Sequence, residues 1–185
     1  MKTMEAIYNR RAVRDYTIDA VPRAKVLELL YAAIQAPSAM NQQPWAFAVF
    51  QGKQKLRSFS DRAKPHCGAL SDSKSASAEL RATLADPEFN IFYNANTLVV
   101  ICARPGLNPA EDCCLAAQNL MLAAHDMGLA TCPIGLARPW LNLPEVKQEL
   151  GIPAELTPVF PVIVGYAAEH PNRTSRKDAD VVTWS

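Results

Sequence analysis

The segment from residue 109 to residue 127 is the feature that most restricts how this chain can fold. Its polar residues come in neighbouring pairs seven positions apart, which are Glu111/Asp112, Gln118/Asn119 and His125/Asp126. Seven residues are nearly two helical turns, so the pairs stack into one narrow polar stripe. Asn108 suits the N-cap, Pro109 the first turn and Gly128 the C-terminal stop. The pattern predicts a long helix that is buried on most sides, in a core or at a subunit interface.

Three shorter segments also have the apolar spacing of helices. They are residues 2–9, a segment with Pro22 in its first turn that stops by Ala36, and Pro144–Leu150, which ends at Gly151. Residues 53–90 carry no clear pattern. Within them, Ser71–Ala78 is polar and small, and we expect a mobile loop or an exposed helix start there.

Apolar runs rich in β-branched and aromatic residues predict three strands. The run Trp45–Phe50 is expected to be a buried strand, and Thr97–Ala103 is the strongest strand pattern in the chain. In Thr157–Gly165, Pro158 and Pro161 indicate a strand that begins irregularly or lies partly at an edge.

Length and charge exclude several classes of protein. The 185 residues suit a single domain over 1–185, and 19 basic residues against 18 acidic ones leave a formal charge of +1. We therefore expect no general attraction to nucleic acid or to anionic membranes. No apolar stretch is long enough to span a membrane and the N-terminus does not read as a signal peptide, so a cytoplasmic location is expected. Five cysteines without a CxxC spacing favour reduced thiols over a disulfide or metal site.

Three arginines, Arg10, Arg11 and Arg14, lie close together after the first helix. Guanidinium groups suit phosphate oxygens because they offer several fixed donors and stay charged. A solvated basic turn is the alternative interpretation of this cluster alone.

The segment APSAMNQQPW at 36–45 joins a helix to a strand, where ligand-binding loops concentrate. Ser38, Asn41, Gln42 and Gln43 offer both donors and acceptors, as a heterocycle with carbonyls and ring nitrogens requires. A polar connecting turn is the alternative here.

The segment Thr131–Leu136 follows the long helix, and its proline can present a flat face to an aromatic ring. Gly135 allows close backbone approach. No Ser–His–Asp set, metal spacing of histidines or phosphate loop occurs. We therefore expect no catalytic side chain, and a cofactor that carries the chemistry.

Together these segments resemble the nitroreductase family of FMN flavoproteins. The matching stretches are RRAVRDY at 10–16, APSAMNQQPW at 36–45, GLATCPIGL at 128–136 and SRKDADVV at 175–182. The resemblance implies an α+β fold with a mainly antiparallel sheet packed among helices. It also implies an intertwined homodimer, in which a C-terminal arm of about residues 170–185 reaches the partner's sheet.

The resemblance also implies a role for each residue of these stretches. Arg10 and Arg176 would hold the FMN phosphate, with Arg11 near the phosphate and the ribityl chain. Arg14 and Asn41 would contact the pyrimidine edge. The remaining contacts would come from Ser38, Ala39 and Met40 of the other subunit on the ribityl side, from Pro133 and Ile134 beneath the ring, and from the backbone amides of Gly135 and Leu136 facing N5 and O4.

The implied activity is that of an FMN-dependent NAD(P)H oxidoreductase. NADH or NADPH would deliver hydride to the flavin and leave, and a nitroaromatic, quinone or similar small acceptor would then take the electrons at the same face. A relative specialised for one metabolite, a flavin-binding sensor or carrier without turnover, and a plain scaffold remain as alternatives. Residues 60–90, which commonly shape the substrate pocket in relatives, match nothing, so the resemblance implies a class of acceptors and no single substrate.

Overall fold

The strands form one antiparallel sheet in the computed structural model, which describes residues 2–67, 78–169, 171–172 and 174–185. In chain order they are β1 (Trp45–Gln51), β2 (Thr97–Ala103), β3 (Ala130–Pro133) and β4 (Thr157–Gly165). They lie side by side in the order β1-β2-β4-β3. The helices are α1 (Thr3–Asn9), α2 (Arg23–Ala33), α3 (Lys53–Ala63), α4 (Ala78–Ala85), α5 (Pro109–Asp126), α6 (Arg138–Leu141) and α7 (Pro144–Glu149). This is the expected α+β arrangement.

Helices cover both faces of the sheet. Side chains alternate across a strand, so Leu98 and Val100 of β2 pack into one core while Val99 and Ile101 pack into the other. The first core is shared with α3 and α6, and the second with α2 and α5. Burial on both faces explains why the whole run 97–103 is apolar instead of alternating.

The long helix α5 agrees with the prediction for 109–127 to within one residue. Asn108 occupies the N-cap, although its side chain makes no capping hydrogen bond. The helix ends where Gly128 adopts a φ of 72°, and the next N–H, that of Leu129, donates to the carbonyl of Ala124 at 2.7 Å. A residue with a side chain would be strained at that φ, so the glycine allows the helix to end there.

The polar stripe predicted on α5 is only partly right. Asp112 is buried at 4% exposure, and the exposed strip of the helix includes Cys114 and Leu115. The cause is tertiary: Asp112 has a backbone partner in the loop before β1. An apolar strip on the surface of the isolated chain is compatible with both predicted locations of this helix, a core and a subunit interface.

The shorter helices α1, α2 and α7 lie where the sequence predicted them. Helices α3 and α6 lie where no prediction was made, and only the first residue of α4 falls in a segment with a prediction, a mobile loop or an exposed helix start. Most of the segment Ser71–Ala78 lies outside the described residues, and Ala78 begins α4. None of the helices in the described ranges is long and apolar enough to cross a membrane.

The strand predictions hold in position, with one correction on burial. β1 is not a fully buried strand: it lies at an edge of the sheet, and Val49 is 37% exposed. β4 begins irregularly, with a bulge opposite Ile101 and Cys102 of β2. Its first half also extends beyond β3, which pairs only with residues 162–165. Pro158 and Pro161 therefore lie in the part of β4 that is paired with β2 on one side but not with β3 on the other, so their missing N–H groups break no ladder there.

Residues 10–16 are fixed against the sheet by Tyr16. The Tyr16 ring is buried against Gly165 at the end of β4, and its hydroxyl donates to the carbonyl of Val13 at 2.9 Å. A Cβ at Gly165 would lie 2.6 Å from Cδ1 of Tyr16, so only glycine allows this contact. The Arg10–Arg14 segment is thereby held in place from its C-terminal side.

We expect Gly165→Ala to lower the free energy of unfolding by about 1–3 kcal/mol, because the buried ring of Tyr16 cannot yield without losing its hydrogen bond. The measurement is urea unfolding followed by circular dichroism. Gly135→Ala is the matched control, since a Cβ there meets nothing within 4 Å. Equal midpoints for the two variants would show that Tyr16 moves aside freely.

Candidate functional site

Residues 10–16 lie beside β3, so the structure brings the first and third sequence motifs together. Ala12 forms a parallel bridge with Thr131, and the N–H of Val13 donates to the Thr131 carbonyl at 3.1 Å. The arginine cluster and the loop after β3 therefore share one surface.

Arg10 and Arg11 carry buried donors that no acceptor satisfies among the described residues. These atoms are Nη1 of Arg10 and Nε of Arg11. Burial lowers the pKa of the Arg10 guanidinium, and the nearby charges of Arg11 and Arg176 lower it further. Three positive charges close together, two of them with unsatisfied donors, are unfavourable unless an anion binds between them. The arrangement fits a phosphate, whose oxygens accept from several guanidinium groups at once.

Two cavities adjoin these arginines. A small one of about 70 Å³ is lined by Arg10, Arg11 and His125 at the end of α5. A larger, open one of about 490 Å³ lies between Tyr8, Arg11 and Arg176. The structure thus places the predicted residues Arg10, Arg11 and Arg176 together. His125 was assigned to the polar stripe of α5, and the sequence carries no signal for this second location.

Arg14 is exposed and faces a tyrosine instead of an acid. Its Cζ atom lies 6.0 Å from the centre of the Tyr93 ring. Among the described residues no carboxylate lies within salt-bridge distance of Arg14. Asp19, which is close to Arg14 in the sequence, accepts a hydrogen bond from the hydroxyl of Thr17. Tyr93 was not singled out from the sequence, because residues 53–90 and the turn after them carry no recognisable pattern.

The loop after β3 presents backbone and a proline ring to the surface. Pro133 and Gly135 are exposed, and Leu136 is half-buried. The N–H groups of Gly135 and Leu136 open a 3₁₀ turn, where the first donors have no acceptor within the turn. The side chain of Ile134, in contrast, is buried in the core. Its N–H donates to the carbonyl of Pro161 at 2.9 Å, and its carbonyl accepts from the N–H of Ala137 at 3.1 Å.

The second motif forms a strained loop. Met40, Asn41 and Gln43 have φ values of 51°, 55° and 49°, a region that non-glycine residues rarely adopt. The hydroxyl of Ser38 accepts from the N–H of Gln43 at 2.9 Å. Strain of this kind persists only where surrounding contacts enforce it, and it is concentrated at functional sites.

Asp112 is the main tertiary contact of this loop. Both carboxylate oxygens accept from the N–H of Ala39 at 3.2 Å. The side-chain oxygen of Gln42 accepts from the N–H of Leu107 at 2.9 Å. Asp112 therefore fixes the position of Ser38–Asn41, a role that the sequence does not reveal because its partner is a backbone group distant along the chain.

The strained loop lies far from the arginine cluster within one chain. It contacts residue 112 in the first turn of α5, whereas Arg10 and Arg11 share a cavity with His125 in the last turn. The helical rise between these positions is roughly 20 Å. Asn41 also precedes β1 at one edge of the sheet, and Arg14 lies beside β3 at the other. A single chain therefore does not bring Asn41 to Arg14.

No group of three or more metal-ligating side chains occurs among the residues that the structure describes. All five cysteines are free thiols, four of them buried. Neither observation adds a second chemical centre to the surface formed by the arginines and the loop after β3.

Comparison with known proteins gives a consistent result. The family model described as Nitroreductase family matches residues 7–166. A 4-nitrobenzoate reductase from Nocardioides is 27% identical over 94% of this chain and 85% of that protein. An FMN reductase of Bacillus subtilis that uses NAD(P)H is 22% identical over 98% of this chain and 72% of that protein. The crystal structure of a Bacteroides fragilis nitroreductase with bound FMN superposes with a TM-score of 0.84 at 26% identity, covering all of both chains.

Proposed function

Because this chain belongs to the nitroreductase family, we propose that it binds FMN and acts as an NAD(P)H oxidoreductase on nitroaromatic, quinone or similar small acceptors. The donor and then the acceptor would use the same face in turn, in a ping-pong cycle. The FMN of the Bacteroides fragilis structure, the NAD(P)H of the Bacillus subtilis reductase and the nitroaromatic substrate of the Nocardioides enzyme support this proposal.

The observation that carries the proposal is the pair of buried, unsatisfied guanidinium donors on Arg10 and Arg11. With Arg176 they form a concentrated positive site on a chain whose formal charge is only +1. A terminal phosphate would satisfy both donors and offset the repulsion between the arginines. We assign the FMN phosphate to this place, with Arg11 extending toward the ribityl chain.

The remaining contacts follow from the direction of the chain. Arg14 lies further along the same segment and would meet the pyrimidine edge. Pro133 would lie beneath the ring, and the amides of Gly135 and Leu136 would point at N5 and O4. Bound FMN supplies two-electron transfer at N5, and these residues orient it: a fixed guanidinium beside N1 and O2 stabilises the reduced ring more than the oxidised one.

We propose that the strained loop Ser38–Asn41 reaches the flavin of a second copy, in a homodimer. The partner would then supply Asn41 as well as Ser38. Exposed apolar side chains on α1 and α5 are available to such a contact, namely Met4, Ile7, Tyr8 and Leu115.

The C-terminal arm and the edge of β1 also support a dimer. Residues 174–185 form no helix or strand, and all are exposed. Val182 and Trp184 are 95% and 89% exposed. The outer edge of β3 is bridged by Ala12, whereas the outer edge of β1 has no pairing partner in the described ranges. We infer that the arm of one subunit lies along β1 of the other, since an open strand edge favours such pairing.

The activity is tested by the absorption spectrum of the purified protein. We expect bound FMN, loss of its visible absorption on anaerobic addition of NADH or NADPH, and recovery when a nitroaromatic or quinone is added. Parallel lines in double-reciprocal initial-rate plots would support the ping-pong order. A flavin that stays oxidised under both donors would favour a sensor or carrier, and a colourless protein that FMN does not stabilise would favour a scaffold.

Arg14→Gln should lower the midpoint potential of bound FMN more than it weakens binding of oxidised FMN. The variant retains hydrogen bonding but loses the charge beside N1 and O2. A loss of about 1–3 kcal/mol corresponds to roughly 20–65 mV for a two-electron couple. Spectroelectrochemical titration measures this, with Arg23→Gln on the exposed start of α2 as the control. Matching potentials for Arg14→Gln and wild type would leave Arg14 a surface residue.

A further inference from the structure

Tyr93 makes an unusual set of contacts for a residue in a turn before a strand. The Cζ atom of the Arg14 guanidinium lies 6.0 Å from the centre of its ring. Its other flank packs edge-to-face on Phe89, with ring centres 5.7 Å apart. Cys132 of β3 lies in the vicinity of the Tyr93 phenol. Tyr93 therefore lies on the surface that Arg14 shares with β3.

The backbone that places Tyr93 there is strained. Tyr93 and Asn94 have φ values of 49° and 60°, so two consecutive residues with side chains adopt the left-handed region. An extended backbone at these positions would direct the Tyr93 side chain elsewhere. The left-handed backbone therefore directs the Tyr93 side chain toward Arg14.

Buried polar groups enforce this strained turn. The side chain of Asn90 accepts from the N–H of Phe92 at 2.9 Å, and its carbonyl accepts from the N–H of Tyr93 at 2.8 Å. The buried hydroxyl of Ser60 on α3 accepts from the N–H of Ile91 at 3.0 Å. The turn is thus fixed from α3 and by its own first residue, and the ring of Tyr93 has a fixed direction.

We propose that Tyr93 is a positioning residue for Arg14: its ring holds the guanidinium in the orientation that meets the pyrimidine edge of the flavin. This inference rests on the proposed function, because it assumes FMN at Arg14. An arginine on an exposed segment otherwise samples many rotamers, and a charge stabilises the reduced ring only from a fixed position. Tyr93 supplies that restriction without a carboxylate, which would cancel the charge.

The chemistry of a phenol suits this role. The electron-rich face of its ring attracts a cation. Burial raises the pKa of the Tyr93 phenol, so it stays neutral and retains its own O–H at the pH of catalysis. A neutral partner leaves the full positive charge of Arg14 available to the flavin.

A double-mutant cycle between Tyr93 and Arg14 tests the proposal. The variants are Tyr93→Leu, Arg14→Gln and the double variant, and the readouts are the dissociation constant of oxidised FMN and the midpoint potential. We expect Tyr93→Leu to change that dissociation constant by less than about twofold but to reduce the preference for reduced FMN about fivefold, which corresponds to about 20 mV. In the Arg14→Gln background, Tyr93→Leu should shift the potential no further.

Two additional variants complete the design. Tyr93→Phe retains the ring but not the hydroxyl, and we expect about a twofold effect, or roughly 10 mV; it replaces Tyr93→Leu in the cycle if the latter does not fold. Tyr166→Phe is the matched control, since Tyr166 also has a cation near its ring, Lys25, whose Nζ lies 5.4 Å from the ring centre. Tyr166→Phe should leave the potential unchanged.

The outcomes separate this proposal from the proposed function. Normal FMN binding with an unchanged potential in the Tyr93 variants, or the same shift with and without Arg14, would overturn the role of Tyr93 alone. A wild-type protein that does not bind FMN would overturn the proposed function, and the role of Tyr93 with it.

Discussion

Arg10→Ala is expected to weaken FMN binding by about 1.5–3 kcal/mol, which is roughly 10- to 150-fold in the dissociation constant. The reason is that Arg10 would lose a charge-assisted contact with the phosphate in a partly buried site. Its Nη1 atom has no acceptor in the described part of the chain, so the donor is available for this contact. Isothermal titration of the apoprotein with FMN gives the constant directly.

Riboflavin and the apoprotein provide the controls for this variant. Riboflavin lacks the phosphate, so its affinity should be the same in wild type and Arg10→Ala, and lower than that of FMN in the wild type. The apoprotein should not lose stability, because the substitution removes a buried charge that Arg11 and Arg176 repel. Arg23→Ala controls for loss of any surface arginine. An unchanged FMN affinity, or an equal loss for riboflavin, would remove Arg10 from the phosphate site.

Removal of residues 178–185 is expected to weaken dimerisation and FMN retention together. The deletion removes Val182 and Trp184, whose burial on a partner is worth roughly 1.5–3 kcal/mol for each side chain. Symmetry doubles the effect in a dimer, and the cost of ordering two arms offsets part of it. A net loss of about 3 kcal/mol or more raises the dimer dissociation constant at least about 100-fold. Sedimentation over a concentration series, with flavin absorbance recorded in parallel, measures both quantities.

Point variants separate the apolar contact from the length of the arm. Val182→Ser with Trp184→Ser should reproduce most of the deletion. Asp178→Asn with Asp180→Asn changes polar residues of the same arm and should have little effect on the assembly. A wild-type monomer at micromolar concentration that still holds FMN would contradict both the dimer and the assignment of Ser38 to a partner's site.

Sequence patterns located the long helix and the three longer strands because local chemistry marks their ends. A cap, a proline in the first turn and a glycine at the stop define α5. β2 and β4 are long apolar runs between turn signals. β3 was missed, because four residues ending in a proline are too few for a periodicity. The burial of β1 was overestimated, because its place at an edge is decided by strand order and not by its residues.

In the candidate site, too, neighbouring residues could be recognised from the sequence, whereas contacts between distant residues could not. Clustered arginines need only adjacency in sequence to be noticed, and the structure brings Arg10, Arg11 and Arg176 together. The assignment of Ile134 to the flavin ring stays a prediction, and the structure places its side chain in the core. The contacts of Asp112 and Tyr93 were not predicted, because each residue acts on a partner more than 70 positions away, Ala39 and Arg14 respectively.

Some features could be predicted from the sequence alone, because neighbouring residues mark them. They are the capped helix α5, the apolar strands, the family motifs and the arginine cluster. Three features depend on contacts between distant parts of the chain. Residues 10–16 lie along β3, and Arg14 faces Tyr93 and not an acid. The strained loop at 38–43 is fixed by Asp112, at the end of α5 that is away from the arginine cluster. The physical reason is that propensity and capping act over a few residues, whereas strand order and side-chain partners depend on which distant surfaces exclude water together.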